Sequence, residues 1–300
     1  GIKDGCSNQI TPKLKKIKLI LWRKTARYLS ITGKFMHYLH KVMLSSTLTR
    51  YLKRRSFVIA LGAGLSAPMA YSKLPAIRVA AASDLKFVLT ALSNNFTQTT
   101  GQAVDLQFGS SGNLARQITQ GLPLDIFMSA DEALVFSLFD GGFTPDKGTL
   151  YGTGRIALLL PKNSALQLPK SELEARSTLA NQLKTVRKFA IANPEHAPYG
   201  RAAKEALQNL GLWEQLSPKL VLGDNISQAT QFVTSGAAQA GITALSLALA
   251  QDVATQSGAY WIIPANLHAP LKQRMVLLKT AQLGAKALFE YLQTPAAKAV

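Results

Sequence analysis

Cysteine is nearly missing: Cys6 is the only one in 300 residues. A lone thiol cannot close an internal disulfide, and no thiol or histidine cluster surrounds it, so neither a disulfide framework nor a zinc site organises the chain. No apolar run precedes Cys6, which removes the pattern of a lipid-anchored cysteine. Acids are also scarce, 16 Asp and Glu against 34 Lys and Arg, for a formal charge of +18. That figure resembles a nucleic-acid or membrane binder, but its distribution says otherwise. Residues 1–55 hold 14 of the cations and one acid, Asp4, whereas residues 73–300 hold 20 cations and 15 acids. The excess sits in a leader, and the remainder is only mildly basic. The apolar run Phe57–Leu65 falls short of the roughly 20 residues that a transmembrane helix needs. A Gly-x-Ser-x-Gly elbow, a metal cluster and a defensible Ser/His/Asp set are all missing, which argues against an enzyme. Internal repeats, low-complexity tracts and flexible linkers are missing as well.

What the chain does have is 47% hydrophobic residues, enough for one two-lobed protein or two domains. Lys53-Arg54-Arg55, the apolar run and the small residues ending in Ala70-Tyr71-Ser72 follow the plan of a secretory signal, with a cut after Ser72 or Ala70. Arg54-Arg55-Ser56-Phe57-Val58 also resembles a twin-arginine signal, so export is by the general or the twin-arginine route. The basic leader 1–52 reads as sequence outside the mature protein, since Met43 would open a signal of ordinary length. A nucleic-acid or membrane arm is its alternative reading.

From Lys73 onward, short apolar strands alternate with amphipathic helices, the mark of an α/β fold. Leu85, Val88, Leu89, Leu92 and Phe96 recur at helical spacing after the strand around Arg78–Ala82, so Ser83 reads as a helix N-cap. Ala103–Phe108 runs into Gly109-Ser110-Ser111-Gly112-Asn113 and a helix carrying Leu114 and Ile118. Leu124–Met128 closes on Ser129-Ala130-Asp131, and Arg155–Leu160 crosses into a second lobe. Phe189–Ala192 exits through Asn193–Gly200, and Lys219–Leu222 exits through Gly223–Ser227. Ala240–Thr243, Tyr260–Ile263 and Met275–Leu278 are further strands. The expected boundaries are 53–72 for the signal, 73–154 for the first lobe, 155–243 for the second, and 244–300 for the return to the first. A helical pattern without a cap runs up to Val300, so an incomplete C-terminus is expected.

Four junctions, around Ser83, Ser111, Tyr199 and Ile226, share one design: strand end, small or polar residues, helix start. Helix starts carry unpaired N–H groups and partial positive charge, so facing lobes would converge four of them on an anion. Asp84 and Asp224 read as caps or solvent-facing acids, because an inward carboxylate would repel a dianion. His196 reads as a structural turn residue, and Arg116 and Lys204 as surface charges.

The segments Ala80–Ser83, Phe108–Ile118, Asp125–Asp131 and Asn193–Gly200 resemble the periplasmic molybdate-binding proteins, the receptors of a molybdate ABC importer. The resemblance implies a two-lobed periplasmic-binding-protein fold of type II with a strand hinge. It implies a periplasmic monomer that binds molybdate or tungstate in the cleft and delivers it to a membrane permease. No cofactor, cationic metal, nucleic acid or covalent chemistry is implied. By motif, Ser83 and Ser111 bond the oxyanion through hydroxyl and amide, and Tyr199 and Ile226 through backbone N–H. The tyrosine common in this family near Gly241–Ala244 is Ala244 here, so the Tyr199 hydroxyl is expected to replace that donor. The competing readings are a sulfate-type receptor and, with residues 1–55 on DNA, an oxyanion-sensing transcription regulator.

Overall fold

The computed structural model describes residues 74–299; the basic leader, Cys6 and the signal-like segment lie outside the described residues. Strand β1 (Ile77–Ala82) enters a 3-10 turn, Ser83–Leu85, and then helix α1 (Lys86–Thr100). There follow β2 (Val104–Gly109), α2 (Ser111–Thr119), β3 (Ile126–Ser129), α3 (Glu132–Asp140) and β4 (Thr149–Gly154). The second sheet begins with β5 (Ile156–Pro161), and α4 (Glu172–Gln182), β6 (Phe189–Ala192), α5 (Pro198–Asn209), β7 (Leu220–Gly223), α6 (Ile226–Thr234) and β8 (Ala240–Ala244) come next. After two short helices the chain ends with β9 (Ser257–Ile262), β10 (Leu271–Leu277), α7 (Leu283–Tyr291) and a short turn of helix capped by Thr294. No helix among the described residues is long and apolar enough to cross a membrane.

The strands form two five-stranded sheets, ordered β2-β1-β3-β10-β4 and β7-β6-β8-β5-β9. Each pairs a parallel trio with antiparallel strands: β1 runs parallel to β2 and β3, and β6 runs parallel to β7 and β8. The inner strands β3, β5, β6 and β8 are covered on both faces and are buried nearly along their whole length. Along β1, Ile77, Val79 and Ala81 pack with Leu89, Leu92 and Phe96 of α1, while Ala80 packs with Leu114, Ile118 and Phe127 on the other face. The helical spacing seen in the sequence is thus the buried stripe of α1, each large side chain contributing about 1.5–3 kcal/mol on burial. In the second lobe, Ile156, Leu158, Phe189 and Ile191 pack under α4 and α5, and Leu159, Ala190 and Val233 pack on the opposite face.

Two crossings join the lobes. Arg155 alone separates β4 in the first sheet from β5 in the second. The return falls later than the expected boundary at 244. Strand β9 pairs antiparallel with β5 and stays in the second sheet, so the chain regains the first sheet only at β10. Strand β4 itself is not foreshadowed, because Thr149-Leu150-Tyr151-Gly152-Thr153-Gly154 is glycine-rich and is held by its pairing with β10.

Candidate ligand-binding site

The carboxyl ends of β1, β2, β6 and β7 meet between the lobes, and the helix starts that follow them face one small pocket. Ser83, Ser110 and Ser111 line it from the first lobe, with Ala82, Gly109 and Ala130; Ala197, Pro198, Tyr199 and Ile226 line it from the second. The pocket measures about 10 Å³, room for the centre of roughly one water-sized sphere. Its lining carries no cationic side chain. A wider groove of about 430 Å³ beside it shares Ser83 and is lined by Lys86, Phe87, Gln228 and Gln256.

Both serines hold their hydroxyls in the same way. Ser111 Oγ accepts the Ala130 N–H at 3.0 Å, and Ser83 Oγ accepts the Ser227 N–H at 3.2 Å. A hydroxyl that accepts from an amide keeps its own proton free to donate. Both residues are at most 2% exposed, so that proton has little competition from water. Ser83 is not the N-cap that the sequence suggests: it begins the 3-10 turn after Ala82, and no side-chain cap bond forms there.

From the second lobe come amides. Tyr199 follows Pro198 at the start of α5, and Ile226 is the first residue of α6, whose N-cap Asn225 accepts the Gln228 N–H at 3.1 Å. First-turn N–H groups have no partner within their own helix, and they point out of its start. Ala244 is different. It sits buried opposite Ile156 at the end of β8 and does not line the pocket.

The model of the bacterial extracellular solute-binding proteins matches residues 77–300. The chain belongs to that family. Among its relatives, the molybdate-binding protein ModA of Rhodobacter capsulatus is 36% identical over 249 residues, covering 82% of this chain and 92% of the relative. ModA of Azotobacter vinelandii is 33% identical over 246 residues, 81% of this chain and 93% of the relative. The solved periplasmic molybdate-binding protein of Azotobacter vinelandii superposes with a TM-score of 0.66 at 31% identity, over 74% of this chain and 94% of that one. The solute-binding fold of these relatives is the two-lobed α/β architecture described above.

In this solute-binding protein the lobes are fastened by groups around the pocket. Gly112 N–H donates to the His196 carbonyl at 3.0 Å, and Ser110 Oγ bonds His196 Nδ1 at 2.8 Å. Asn113 Nδ2 donates to Asp224 at 3.2 Å, with His196 Nε2 3.7 Å from the same carboxylate, and Arg201 pairs with Asp131. A Cβ at Gly112 would lie 2.5 Å from the His196 carbonyl oxygen, so only glycine permits this approach. His196 bridges the lobes instead of holding one turn. Asp224 is exposed on the rim, and the cap of α6 is Asn225. Arg116 is exposed, and Lys204 lies over the Trp213 ring at 5.3 Å.

The expectation for Asp84 is overturned. It is 3% exposed, neither a cap nor solvent-facing. Its Oδ2 accepts the Tyr199 hydroxyl at 3.0 Å and Gln273 Nε2 at 2.7 Å, while its carbonyl accepts Ser246 Oγ at 3.0 Å. Burial pushes its carboxyl up to about 6, and the bonds from Gln273 and Tyr199 only partly offset that. The same contact corrects the reading of Tyr199. Its hydroxyl proton is committed to Asp84, and Gln273 Nε2 donates to its oxygen at 3.0 Å, so the hydroxyl is not the spare donor that would replace a tyrosine at Ala244. A Cβ at Gly154 would lie 2.6 Å from this hydroxyl, so a glycine at the first crossing makes room for it. Ser227 and Gln273 were not legible as site residues: Ser227 is one more polar residue in a turn, and Gln273 sits in an alternating strand.

Proposed function

We infer that this protein binds molybdate or tungstate between its lobes and delivers the anion to the membrane permease of an ABC importer. Ser83 and Ser111 donate through hydroxyls and amides, and Tyr199 and Ile226 donate through backbone N–H. The protein acts as a periplasmic monomer, exported by the signal-like segment at 53–72, and it carries out no covalent chemistry on its ligand. The observation that carries this reading is the pocket itself: two buried serine hydroxyls with free protons face two helix starts, with no cation among them.

Such a site suits a fully deprotonated oxyanion. Every lining group that can reach it is a donor, so a protonated anion would leave its own O–H without an acceptor. Charge-assisted bonds of ~1.5–3 kcal/mol each, five to seven in number, less ordering and desolvation, reach the roughly −8 to −12 kcal/mol of micromolar to nanomolar binding. A tetrahedral anion is larger than one water, so seating it parts the facing helix starts slightly from their present positions. That requirement makes the site sensitive to ligand size.

The test is titration of the protein with molybdate, tungstate, sulfate and phosphate, followed by melting temperature and calorimetry. A ligand that binds only the folded form raises the melting temperature. Molybdate and tungstate are expected to raise it and sulfate and phosphate to leave it unmoved; a shift with sulfate but not with molybdate refutes the assignment.

A further inference from the structure

We propose that Asp84 is a positioning residue for the oxyanion site and that it takes up a proton when the lobes close on the ligand. The inference rests on the oxyanion reading of the pocket given above. It starts from an anomaly: a carboxylate buried between the lobes, one residue from a pocket built for anions, with no cation paired to it.

The geometry divides the two carboxylate oxygens. Oδ2 receives both available donors, the Tyr199 hydroxyl from α5 and Gln273 Nε2 from β10. Oδ1 is buried and has no hydrogen-bond partner among the described residues. A buried carboxylate oxygen without a donor is costly chiefly through its charge, and a proton on Oδ1 removes that charge without disturbing either bond to Oδ2. The bond from Tyr199 crosses between lobes. It fixes the residue whose amide faces the pocket, so Asp84 is completed as a site only in the closed arrangement. Opening the lobes would return the carboxyl to water and to its ordinary range.

Among the described residues, the elements packed around Asp84 supply no alternative neutraliser. Lys86, on the helix start next to Asp84, holds its ammonium over the Phe87 ring at 5.8 Å. Lys272 and Arg274, which flank Gln273 on β10, both pair with Glu132. On α5, Arg201 pairs with Asp131 and Lys204 lies over Trp213. Helix α6 and the short helix Leu245–Leu249 carry no ionisable side chain. The remaining titratable neighbours are the hydroxyls of Tyr199 and Tyr151, both held well above the usual phenol range by burial and then by Asp84 itself. A bound dianion next to Ser83 pushes the Asp84 proton affinity in the same direction as burial does, because it repels the ionised form.

The sign follows. The carboxyl is raised from 3.8 when free to about 6 when enclosed, so closure is favoured below the free value, and the advantage fades as pH rises through 6. Over pH 5 to 7.5 the expected change is about tenfold, with tighter binding at pH 5.

The experiment is calorimetric titration of the full chain with molybdate between pH 5 and pH 7.5, in two buffers of different ionisation enthalpy. Wild type is expected to bind about tenfold more tightly at pH 5 and to show buffer-dependent heat from proton uptake. Asp84→Asn places an uncharged group of the same shape there, and its affinity is expected to be flat with pH, without proton uptake. Molybdate binding by wild type with no pH dependence overturns the proposal, as does a slope that persists in Asp84→Asn. The same titrations separate this from the oxyanion reading. If molybdate gives no heat with wild type or with Asp84→Asn at any pH, the ligand assignment fails and the proposal with it. If molybdate binds both and wild type shows neither slope nor proton uptake, the ligand assignment stands and the proposal alone fails.

Discussion

Replacing Gly112 by alanine separates the clasp between the lobes from the stability of either lobe. The added Cβ would sit 2.5 Å from the His196 carbonyl oxygen, against 3.4 Å or more for an ordinary contact, so the two segments must part by about 1 Å. The Gly112 N–H to His196 O bond at 3.0 Å and the Ser110 Oγ to His196 Nδ1 bond at 2.8 Å both stretch beyond hydrogen-bond length when that happens. Each is worth about 1 kcal/mol net, and together ~2 kcal/mol corresponds to roughly thirtyfold in affinity. Within the first lobe the change has the opposite sign. Gly112 lies inside α2, where alanine is favoured over glycine by up to about 1 kcal/mol. Gly112→Ala is therefore expected to melt no lower than wild type without ligand, yet to bind molybdate about thirtyfold more weakly. In stopped-flow measurements the loss should appear in faster dissociation if the clasp closes over a bound anion, as the proposed function requires. An affinity within twofold of wild type, with an unchanged dissociation rate, would refute the reasoning.

Ser83→Ala and Ser111→Ala each remove one proposed hydroxyl donor to the anion and should weaken molybdate binding by roughly 10- to 100-fold in calorimetry, as one charge-assisted bond of ~1.5–3 kcal/mol implies. Ser111→Ala should also lower the ligand-free melting temperature, because the buried Ala130 N–H loses its acceptor. Asp125 responds to pH in the direction opposite to Asp84. Burial alone would raise its carboxyl, but the Arg78 and Gln282 amides and both of their side chains donate to it and hold it below 3.8. Its contribution to stability is full above the unfolded value and is lost as pH falls through the lower folded value. Asp125→Asn should destabilise the protein at pH 7 and flatten the acid limb of melting temperature between pH 5 and 2; an unchanged acid limb would count against the assigned bonds.

Local patterns carried much of the fold. The apolar run of β1 and the spacing of Leu89, Leu92 and Phe96 are consequences of one strand and one helix, and a window of twenty residues contains them. The same holds for the helix starts at Ser111, Tyr199 and Ile226, whose small and polar residues mark strand-to-helix turns wherever they occur. What could not be read locally depends on partners distant in sequence. Strand β9 belongs to the second sheet because of β5, about a hundred residues earlier, and its own composition does not say so. Ser83 looks like a cap until Ser227 takes its oxygen from 144 residues away. Asp84 looks like a surface acid until Tyr199 and Gln273 enclose it. Each miss has the same physical origin: the residue's role is fixed when two lobes meet, and the meeting is invisible in either segment alone.

On the proposed reading of the site, the division of donors between lobes makes binding and closure one event. The first lobe would offer Ser83 and Ser111, and the second the amides of Tyr199 and Ile226, so neither half alone would surround the anion. A ligand shifts a conformational equilibrium only by its differential affinity for the two states. An anion held by half of the donors would gain about half of the bonding, and the remaining bonds would form only when the helix starts of α5 and α6 arrive. Nearly all of that second half is therefore differential, and it acts wholly in favour of closure. On the same reading the rim contacts at His196 and Asp224 would form in that step, outside the pocket. They set how firmly the closed state persists, while the pocket sets which anion reaches it.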